Sequence, residues 1–207
     1  MKEEFSILEI GCNEGYNLKA VYDLYPKAKC FGIDIAQEAL TTAKEKFPEG
    51  SFYCMNIEEL NNNELVQLAE QFDYIFLPDV LEHLTFPTKV MKNVYNMLKP
   101  DGKIFVNIPN LMHYNVLYDL IVNGRFTYTD TGLLDYDHKH FFTLREANKM
   151  FQEAGFKEIK STAIFLNSPI KEDFIQFLLS AKDSVCDEIE FKTFCFLSML
   201  EKDNNND

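Results

Sequence analysis

The feature that most constrains the fold is a regular alternation of short apolar runs with segments of helical periodicity. Strands are predicted at residues 5–10, 29–33, 51–55, 73–77 and 103–108. The segments between them repeat apolar residues every three or four positions, and the third is predicted to bury Leu65, Leu68, Ala69 and Phe72 on one helix face. Strands separated by helices run parallel, so the sequence predicts a doubly wound α/β sheet.

The pattern becomes irregular after Pro109. A short helix is predicted at residues 114–122, and a helix capped by Thr143 and Glu146 runs to Gly155. Two closing strands are predicted at residues 157–164 and 191–200, antiparallel to each other, with a helix at about 171–185 between them. We therefore expect one Rossmann-like domain over residues 1–207. Its sheet is mostly parallel and seven-stranded, with an antiparallel C-terminal strand, helices on both faces, and residues 110–142 as a lid on the acceptor side.

Charge and composition narrow the functional classes. The chain of 207 residues has a net charge of −13, which disfavours binding to DNA or RNA. No apolar run reaches the length of a membrane span, and the first residues lack the pattern of a signal peptide. The five cysteines form no C-x-x-C pair, which indicates reduced thiols. We expect a cytoplasmic protein with no membrane partner.

The first candidate site is the loop that follows the first strand. Gly11 permits a sharp backbone turn, and Gly15 allows close approach of a helix or a ligand. Glu9 and Cys12 lie beside them, at the strand end where doubly wound sheets bind ligands. A tight turn with a packing glycine is the structural alternative.

The spacing of this loop separates the cofactor classes. A dinucleotide fingerprint that starts at Gly11 requires glycine where this chain has Asn13 and Tyr16. An NAD-dependent dehydrogenase is therefore disfavoured, and no phosphate-binding P-loop sequence is present. Glu9 suits a ligand that carries an ammonium group better than a pyrophosphate.

Polar residues also follow the second and third strands. Asp34, next to Ile35, is placed to accept hydrogen bonds from both hydroxyls of a ribose. The alternative role of Asp34 is the N-cap of the next helix. Asn56 and Ile57 are placed to bond and enclose an adenine, and the alternative for Asn56 is an Asx turn.

After the fourth strand, Pro78 precedes a cluster of three polar residues. Asp79, Glu82 and His83 stand at i, i+3 and i+4, so they share one face of a helical turn.

Taken together, these motifs resemble those of class I S-adenosylmethionine-dependent methyltransferases. The resemblance covers residues 5–165 and includes a D-H-x-x-F-F-T motif at residues 137–143. It implies that a loop including Glu9, Gly11, Cys12 and Gly15 holds the methionine part of the cofactor. It further implies that Asp34 and Ile35 bind the ribose and that Asn56 and Ile57 bind the adenine. The methionine end is then expected near Pro78 and Asp79.

Two hypotheses concern the chemistry at the acceptor. Methyl transfer to a hydroxyl or amine requires a base, for which His83 and His138 are the candidates. The resemblance extends to small-RNA and quinone-pathway O-methyltransferases that hold a divalent metal, which implies Asp79, Glu82, His83 and His138 as ligands. The alternative is that Glu82 and His83 only cap a helix and bond the long loop.

The sequence thus predicts a methyltransferase acting on a small molecule, at an oxygen. A non-catalytic nucleotide-binding or partner module, and less readily a protein or RNA methyltransferase, are the alternatives. The predicted lid is rich in apolar and aromatic residues, which could pack on the sheet, receive a ring-shaped acceptor or form a homodimer contact. These residues are Leu111, Tyr114, Leu117, Tyr118, Phe126, Tyr128, Leu133, Leu134, Tyr136, Phe141 and Phe142.

Overall fold

A computed structural model describes residues 4–167, 169–181 and 185–203 of the chain. The strands are β1 (Ser6–Ile10), β2 (Lys29–Asp34), β3 (Ser51–Cys54), β4 (Phe72–Pro78), β5 (Leu98–Pro109), β6 (Phe156–Phe165) and β7 (Thr193–Lys202). The helices are α1 (Tyr16–Leu24), α2 (Gln37–Lys46), α3 (Asn62–Leu68), α4 (Pro87–Met97), α5 (Tyr114–Ile121), α6 (Leu144–Glu153), α7 (Glu172–Leu179) and α8 (Glu188–Lys192).

The seven strands form one sheet in the order β3-β2-β1-β4-β5-β7-β6. Strands β1 to β5 pair in parallel, and β7 pairs antiparallel with both β5 and β6. The predicted fold class is therefore confirmed. The chain order reverses between β1 and β4, and in sheets of this kind the ligand crevice opens at that point.

Alternating side chains of the strands build a core on each face of the sheet. Ile7 of β1 faces a cluster with Leu18 and Leu40 from α1 and α2. Its neighbour Leu8 faces the opposite cluster, which includes Val90 of α4 and Phe151 of α6. This alternation follows the two-residue repeat of a strand, and it explains why all five residues of β1 are buried.

Side chains cap two of the helices, and the predicted start and end of α6 are confirmed. Asn61 caps α3, and its side chain accepts hydrogen bonds from the backbone N–H groups of Asn63 and Glu64. Thr143 caps α6 and accepts from the N–H of Glu146 at 3.2 Å. The turn after α6 ends at Gly155, whose φ of +90° lies in the left-handed region that favours glycine.

Other element predictions are wrong. Phe72 belongs to β4 and not to the third helix, because the chain leaves α3 after Leu68 and turns through Glu70 at a φ of 51°. The helix predicted at about 171–185 ends at Leu179, and residues 182–184 lie outside the described residues. The last strand was predicted to begin at residue 191, but α8, capped by Asp187, extends to Lys192 and β7 begins at Thr193.

The cysteines and helices agree with two further expectations. All five cysteines are reduced thiols, and Cys12, Cys30 and Cys195 are buried. Within the described part of the chain, the helices are too short or too polar to cross a bilayer. The tail at residues 204–207 lies outside the described residues.

Candidate active site

The loop after β1 has the backbone conformation that a close ligand approach requires. Gly11 and Gly15 both have a φ of +74°, and Asn13 has a φ of +47°. A Cβ atom on Gly11 would lie 2.8 Å from Val80 Cγ2, so this loop and the turn after β4 are in contact. Asn tolerates the left-handed region, so Asn13 takes a conformation for which glycine is the usual residue.

Glu9 lies beneath this loop and is 1% exposed. Its Oε1 accepts a 2.7 Å hydrogen bond from Asn17 Nδ2, whereas its buried Oε2 has no partner within the described structure. Burial raises the pKa of Glu9 to about 7, an effect opposed by the Asn17 bond. A buried carboxylate with an unpaired oxygen is costly unless it binds a proton or gains a nearby cation.

Asp34 lies at the end of β2 and faces the loop. Its Oδ2 accepts from the N–H of Asn13 at 2.8 Å, and its Oδ1 accepts from the N–H of Ala36 at 2.8 Å. Ala36 is the N-cap of α2, so the N-cap alternative for Asp34 is wrong and the residue forms an Asx turn instead. Each oxygen of a carboxylate can accept a second hydrogen bond, so both remain suitable for a ribose diol. Ile35 is 74% exposed beside it.

The loop after β3 forms the predicted Asx turn. Asn56 Oδ1 accepts from the N–H of Glu58 at 3.0 Å, and Asn56 Nδ2 donates to Glu59 at 2.9 Å. Ile57 is buried in the core. A role for Asn56 toward adenine stays a prediction.

Glu58 ties this loop to the start of α4. Its Oε1 accepts hydrogen bonds from the backbone N–H groups of Thr85 at 2.8 Å and Phe86 at 2.7 Å. The carbonyl of Glu58 accepts from Lys89 Nζ at 3.1 Å. The sequence contained no signal for this contact, because the partner groups lie in the backbone of a distant turn.

Asp79 follows β4 with a φ of +49°. Asn107 Nδ2, at the end of β5, donates a 2.6 Å hydrogen bond to Asp79 Oδ1. The side chain of Asp79 is open to solvent, although the walls of the cleft remove enough hydration to raise its pKa. A non-glycine residue held in this backbone region marks a site where the surrounding structure compensates local strain.

Glu82, His83 and His138 come together as the sequence predicted, and their potential ligand atoms all lie within 4.8 Å of one another. Asp79 stands outside this group, which corrects the predicted set of four. The left-handed turn at Asp79 and its bond to Asn107 direct the carboxylate elsewhere. Asp79 still acts on both imidazoles through its charge.

Glu82 is 1% exposed, and both of its carboxylate oxygens are buried without a hydrogen-bond partner in the described structure. Burial raises its pKa to about 8. Its backbone carbonyl accepts from the N–H groups of Lys139 and His140 at 2.8 and 3.0 Å, which binds the long loop to this turn. The predicted i, i+3, i+4 face is carried by a short 3₁₀ turn, Leu81–His83, and not by an α-helix.

Each histidine of the cluster is oriented by a backbone carbonyl. His83 Nδ1 lies 3.2 Å from the oxygen of Asp137, and His138 Nδ1 lies 3.2 Å from the oxygen of Leu133. Because a carbonyl only accepts, both Nδ1 atoms carry hydrogen, so each ring in its neutral form presents a lone pair on Nε2. Burial lowers the pKa of His138, which favours its neutral form.

The other two histidines lie outside the cluster. His113 is buried, and burial lowers its pKa to about 4. It caps α5 and packs against Tyr114. His140 stacks on Phe142 with ring centroids 6.0 Å apart. Both have structural roles in this arrangement.

The residues of the candidate site lie apart from a large cavity on one face of the sheet. That cavity has a volume of about 870 Å³ and lies between α3 and strands β1–β4. Leu8, Phe31, Ile33, Tyr53 and Leu68 belong to its lining, which includes none of the predicted site residues.

Sequence reasoning missed Asn17, Asn107 and Glu58, which position Glu9, Asp79 and the loop after β3. A signal existed for Asn107, since a polar residue that ends an apolar strand of a doubly wound sheet faces the ligand edge. Asn17 and Glu58 act through contacts that no local pattern encodes.

Comparisons with known proteins show which sequences and structures this chain resembles. The family model described as a methyltransferase domain matches residues 2–161. The ubiquinone biosynthesis O-methyltransferase of Coxiella burnetii is 25% identical over 172 residues, which cover 81% of this chain and 70% of that protein. The malonyl-[acyl-carrier protein] O-methyltransferase of Bacillus anthracis is 34% identical over 98 residues, covering 46% of this chain and 34% of that one.

Solved structures share the fold. PKMT2 from Rickettsia typhi in complex with AdoHcy superimposes with a TM-score of 0.66 at 19% identity, covering 98% of this chain and 49% of that one. The Haloferax volcanii complex of the Trm112 methyltransferase activator and a methyltransferase gives a TM-score of 0.65 at 17% identity. That match covers 98% of this chain and 84% of the matched one.

Proposed function

This chain belongs to the family of methyltransferase domains and depends on S-adenosylmethionine, and on that premise we propose that it transfers a methyl group to an oxygen atom of a small molecule. The observation that carries the proposal is the cluster at the acceptor side. Both carboxylate oxygens of Glu82 are buried without a partner in the described structure, and potential ligand atoms of Glu82, His83 and His138 lie within 4.8 Å of one another.

The residues present fit S-adenosylmethionine. The loop at Gly11 and Gly15 leaves no room for side chains and so brings backbone close to a ligand. The carboxylate of Asp34 is fixed by two N–H groups and is suited to the ribose diol. The unpaired oxygen of Glu9 provides negative charge beneath the position expected for the amino-acid end. When bound, the cofactor supplies a methyl group on a positively charged sulfur, which becomes a neutral thioether after transfer.

The chain's own residues must align the acceptor and take its proton. As the acceptor oxygen forms its bond to carbon, its hydrogen leaves as a proton. The Nε2 atoms of His83 and His138 present the lone pairs that could receive it, and the carbonyls of Asp137 and Leu133 hold the two rings in that tautomer. The charge of Asp79 favours the protonated form of His138.

We further propose that Glu82, His83 and His138 hold a divalent cation. One carboxylate and two oriented imidazoles form a mixed oxygen and nitrogen donor set that suits Mg²⁺, Mn²⁺ or Zn²⁺. The two orphaned oxygens of Glu82 support this, since a buried carboxylate without hydrogen bonds otherwise has to stay protonated. A cation there would occupy the Nε2 lone pairs, so the proton of the acceptor hydroxyl would pass to water and not to the rings. Its positive charge would favour the deprotonated form of the hydroxyl.

The names of the C. burnetii and B. anthracis relatives support an oxygen acceptor. A non-catalytic module would have no need of the convergent polar groups at the mouth. The charge of −13 argues against a nucleic acid acceptor, and a protein acceptor would have to dock on the same cleft.

The experiment is a transfer assay with S-adenosylmethionine labelled in its methyl group, with and without Mg²⁺. Acceptors are a panel of phenols, vicinal diphenols, hydroxy acids and carboxylic acids, with bulk RNA and a protein mixture as comparison arms. We expect label in one small-molecule class only, and removal of metal to lower the rate at least tenfold. Transfer to protein or RNA alone, or no transfer to any arm with cofactor bound, would contradict the proposal.

A further inference from the structure

The aromatic residues of the long loop divide into two groups. Tyr114 is buried against α7 and α8, and Phe142 is buried in the main core. In contrast, Phe126, Tyr128 and Tyr136 are 42%, 40% and 67% exposed. These three rings therefore do not pack the loop onto the sheet, and an exposed group of large rings marks an interaction surface.

The exposed rings pack against one another and lead to the reactive cluster. Tyr128 stacks on Tyr136 with ring centroids 5.9 Å apart and meets Phe126 edge-on at 5.8 Å. Phe141 contacts both Tyr128 and Phe126, at 6.0 and 5.6 Å, and lies 6.1 Å from the ring of His138. We call Phe126, Tyr128, Tyr136 and Phe141 the aromatic wall, which is continuous with the Glu82–His83–His138 cluster.

Backbone hydrogen bonds hold the wall in shape. The N–H of Thr129 donates to the carbonyl of Leu134 at 2.8 Å, and the N–H of Tyr136 donates to the carbonyl of Thr129 at 3.1 Å. Thr129 Oγ1 donates to the carbonyl of Thr131 at 2.8 Å. A surface whose loop is already ordered loses little conformational entropy when it binds a ligand.

Charges around the wall restrict the ligand. Asp130, Asp135 and Asp137 stand in the same stretch as Arg125 and Lys139. Lys139 Nζ is engaged with Thr85 Oγ1 at 3.1 Å, and the whole chain carries a charge of −13. An anionic group on the ligand is therefore disfavoured here.

We propose that the aromatic wall binds the uncharged, planar ring system of the acceptor while its reacting oxygen reaches the cluster. The position of the reacting oxygen rests on the proposed function. The position of the acceptor's ring system rests on the stacking of Tyr128 with Tyr136 and on the contact of Phe141 with His138. Tyr128 and Tyr136 are then residues that determine acceptor specificity, and the preferred acceptor extends beyond a single ring.

The test measures binding separately from catalysis. The intact protein, saturated with S-adenosylhomocysteine, is titrated with 2-naphthol, with 2-naphthoate as the anionic counterpart and methyl glucoside as a non-planar ring. Amide and aromatic NMR shifts report the affinity and the location. Tyr136→Ser and Tyr128→Ser are compared with Phe177→Ser, since Phe177 is a ring of α7 whose exposure of 62% is close to the 67% of Tyr136. Sedimentation of each sample reports its oligomeric state.

We expect 2-naphthol to shift residues 125–141, and each wall variant to weaken its binding at least fivefold while Phe177→Ser leaves it unchanged. Naphthoate should bind at least fivefold more weakly than naphthol. Equal affinity in all variants, shifts confined to the cavity beneath α3, preference for naphthoate or methyl glucoside, or a dimer that Tyr136→Ser dissociates would each overturn the assignment. Failure of S-adenosylhomocysteine to bind in the same samples would instead count against the proposed function and leave the naphthol result to be read on its own.

Discussion

The Nδ1 atom of His138 lies 3.2 Å from the carbonyl oxygen of Leu133. Leu133 lies within the long loop, so the loop itself orients the ring of His138. The loop also binds the backbone of Glu82 through Lys139 and His140. Residues 133–140 therefore contribute to the shape of the Glu82–His83–His138 cluster.

The first prediction concerns this cluster and a divalent cation. His138→Asn removes one Nε2 lone pair and should lower the affinity for Mn²⁺ at least tenfold, measured by calorimetry. His140→Asn is the matched control, because His140 lies two residues away but contacts Thr85 and Phe142 instead. Equal Mn²⁺ affinity in both variants and the wild type would remove the metal proposal.

The second prediction concerns the ribose. Asp34→Ala removes a carboxylate whose two oxygens are already oriented by Asn13 and Ala36. Loss of charge-assisted bonds should weaken S-adenosylhomocysteine binding by at least about tenfold. The exposed Asp101→Ala serves as control, and circular dichroism checks folding. Unchanged affinity in a folded Asp34→Ala protein would mean that the ribose lies elsewhere.

The third prediction uses the ionisation of Glu9. Its pKa of about 7 means that the carboxylate gains its charge between pH 6 and pH 8. The amino-acid end of S-adenosylhomocysteine carries an ammonium group, so affinity should rise roughly threefold to tenfold over that range. In Glu9→Gln the affinity should vary much less with pH. A wild-type profile as flat as that of Glu9→Gln would show that Glu9 does not act on the ligand.

Stability without ligand should change in the opposite direction. The folded state holds the proton of Glu9 up to about pH 7, whereas the ordinary value is 4.5. Between these values the folded protein binds more protons than the unfolded chain, so the contribution of Glu9 to stability falls as pH rises. The melting temperature of Glu9→Gln minus that of wild type should therefore be larger at pH 8 than at pH 5. Thermal denaturation of both proteins at the two pH values measures this.

How far the sequence predicts the molecule depends on the range of the interactions. The strands, most helices and the glycine loop were predictable, because apolar periodicity and backbone-permissive residues are local signals. The position of Phe72 was not predictable. Phe72 follows Leu68 at helical spacing, although the positive φ of Glu70 has already ended the helix. The sequence gives no sign of this turn because Glu70, unlike Gly11 and Gly15, is not a residue that favours a positive φ.

The candidate site shows the same division. Glu82 and His83 were predicted as site residues because they are adjacent after the fourth strand. His138 was added to the predicted cluster on the basis of the family resemblance. Asp79 was misplaced because its turn and its bond to Asn107, 28 residues away in sequence, override simple helical spacing. Contacts between distant loops decide this part of the geometry.

The fourth prediction follows from the backbone at Asp79. At a φ of +49°, asparagine keeps a tolerated conformation and alanine does not. Asp79→Asn should leave the free energy of unfolding within about 0.5 kcal/mol of wild type, and Asp79→Ala should lower it by about 1–2 kcal/mol. Urea denaturation compares the two. Equal losses would place the effect in the charge of the carboxylate, because asparagine keeps both a tolerated backbone conformation and an Oδ1 acceptor for Asn107.

The fifth prediction concerns Glu58, which we treat as a positioning residue for the loop at Asn56 and Ile57. Glu58→Ala leaves two backbone N–H groups without their acceptor and should weaken S-adenosylhomocysteine binding about threefold to tenfold. Glu58→Gln keeps an acceptor oxygen and should restore most of the affinity. The exposed Glu49→Ala is the control. If Glu58→Gln binds as poorly as Glu58→Ala, the charge and not the hydrogen bonds accounts for the loss.

The most direct test of the account is a crystal structure of the protein with S-adenosylhomocysteine and Mn²⁺, with anomalous data collected for manganese. We predict the ribose hydroxyls on Asp34, the amino-acid end over the loop at Gly11, and an anomalous peak between Glu82, His83 and His138. Electron density for the ribose away from Asp34, or a flat anomalous map at an ordered cluster with the nucleoside bound, would contradict the account.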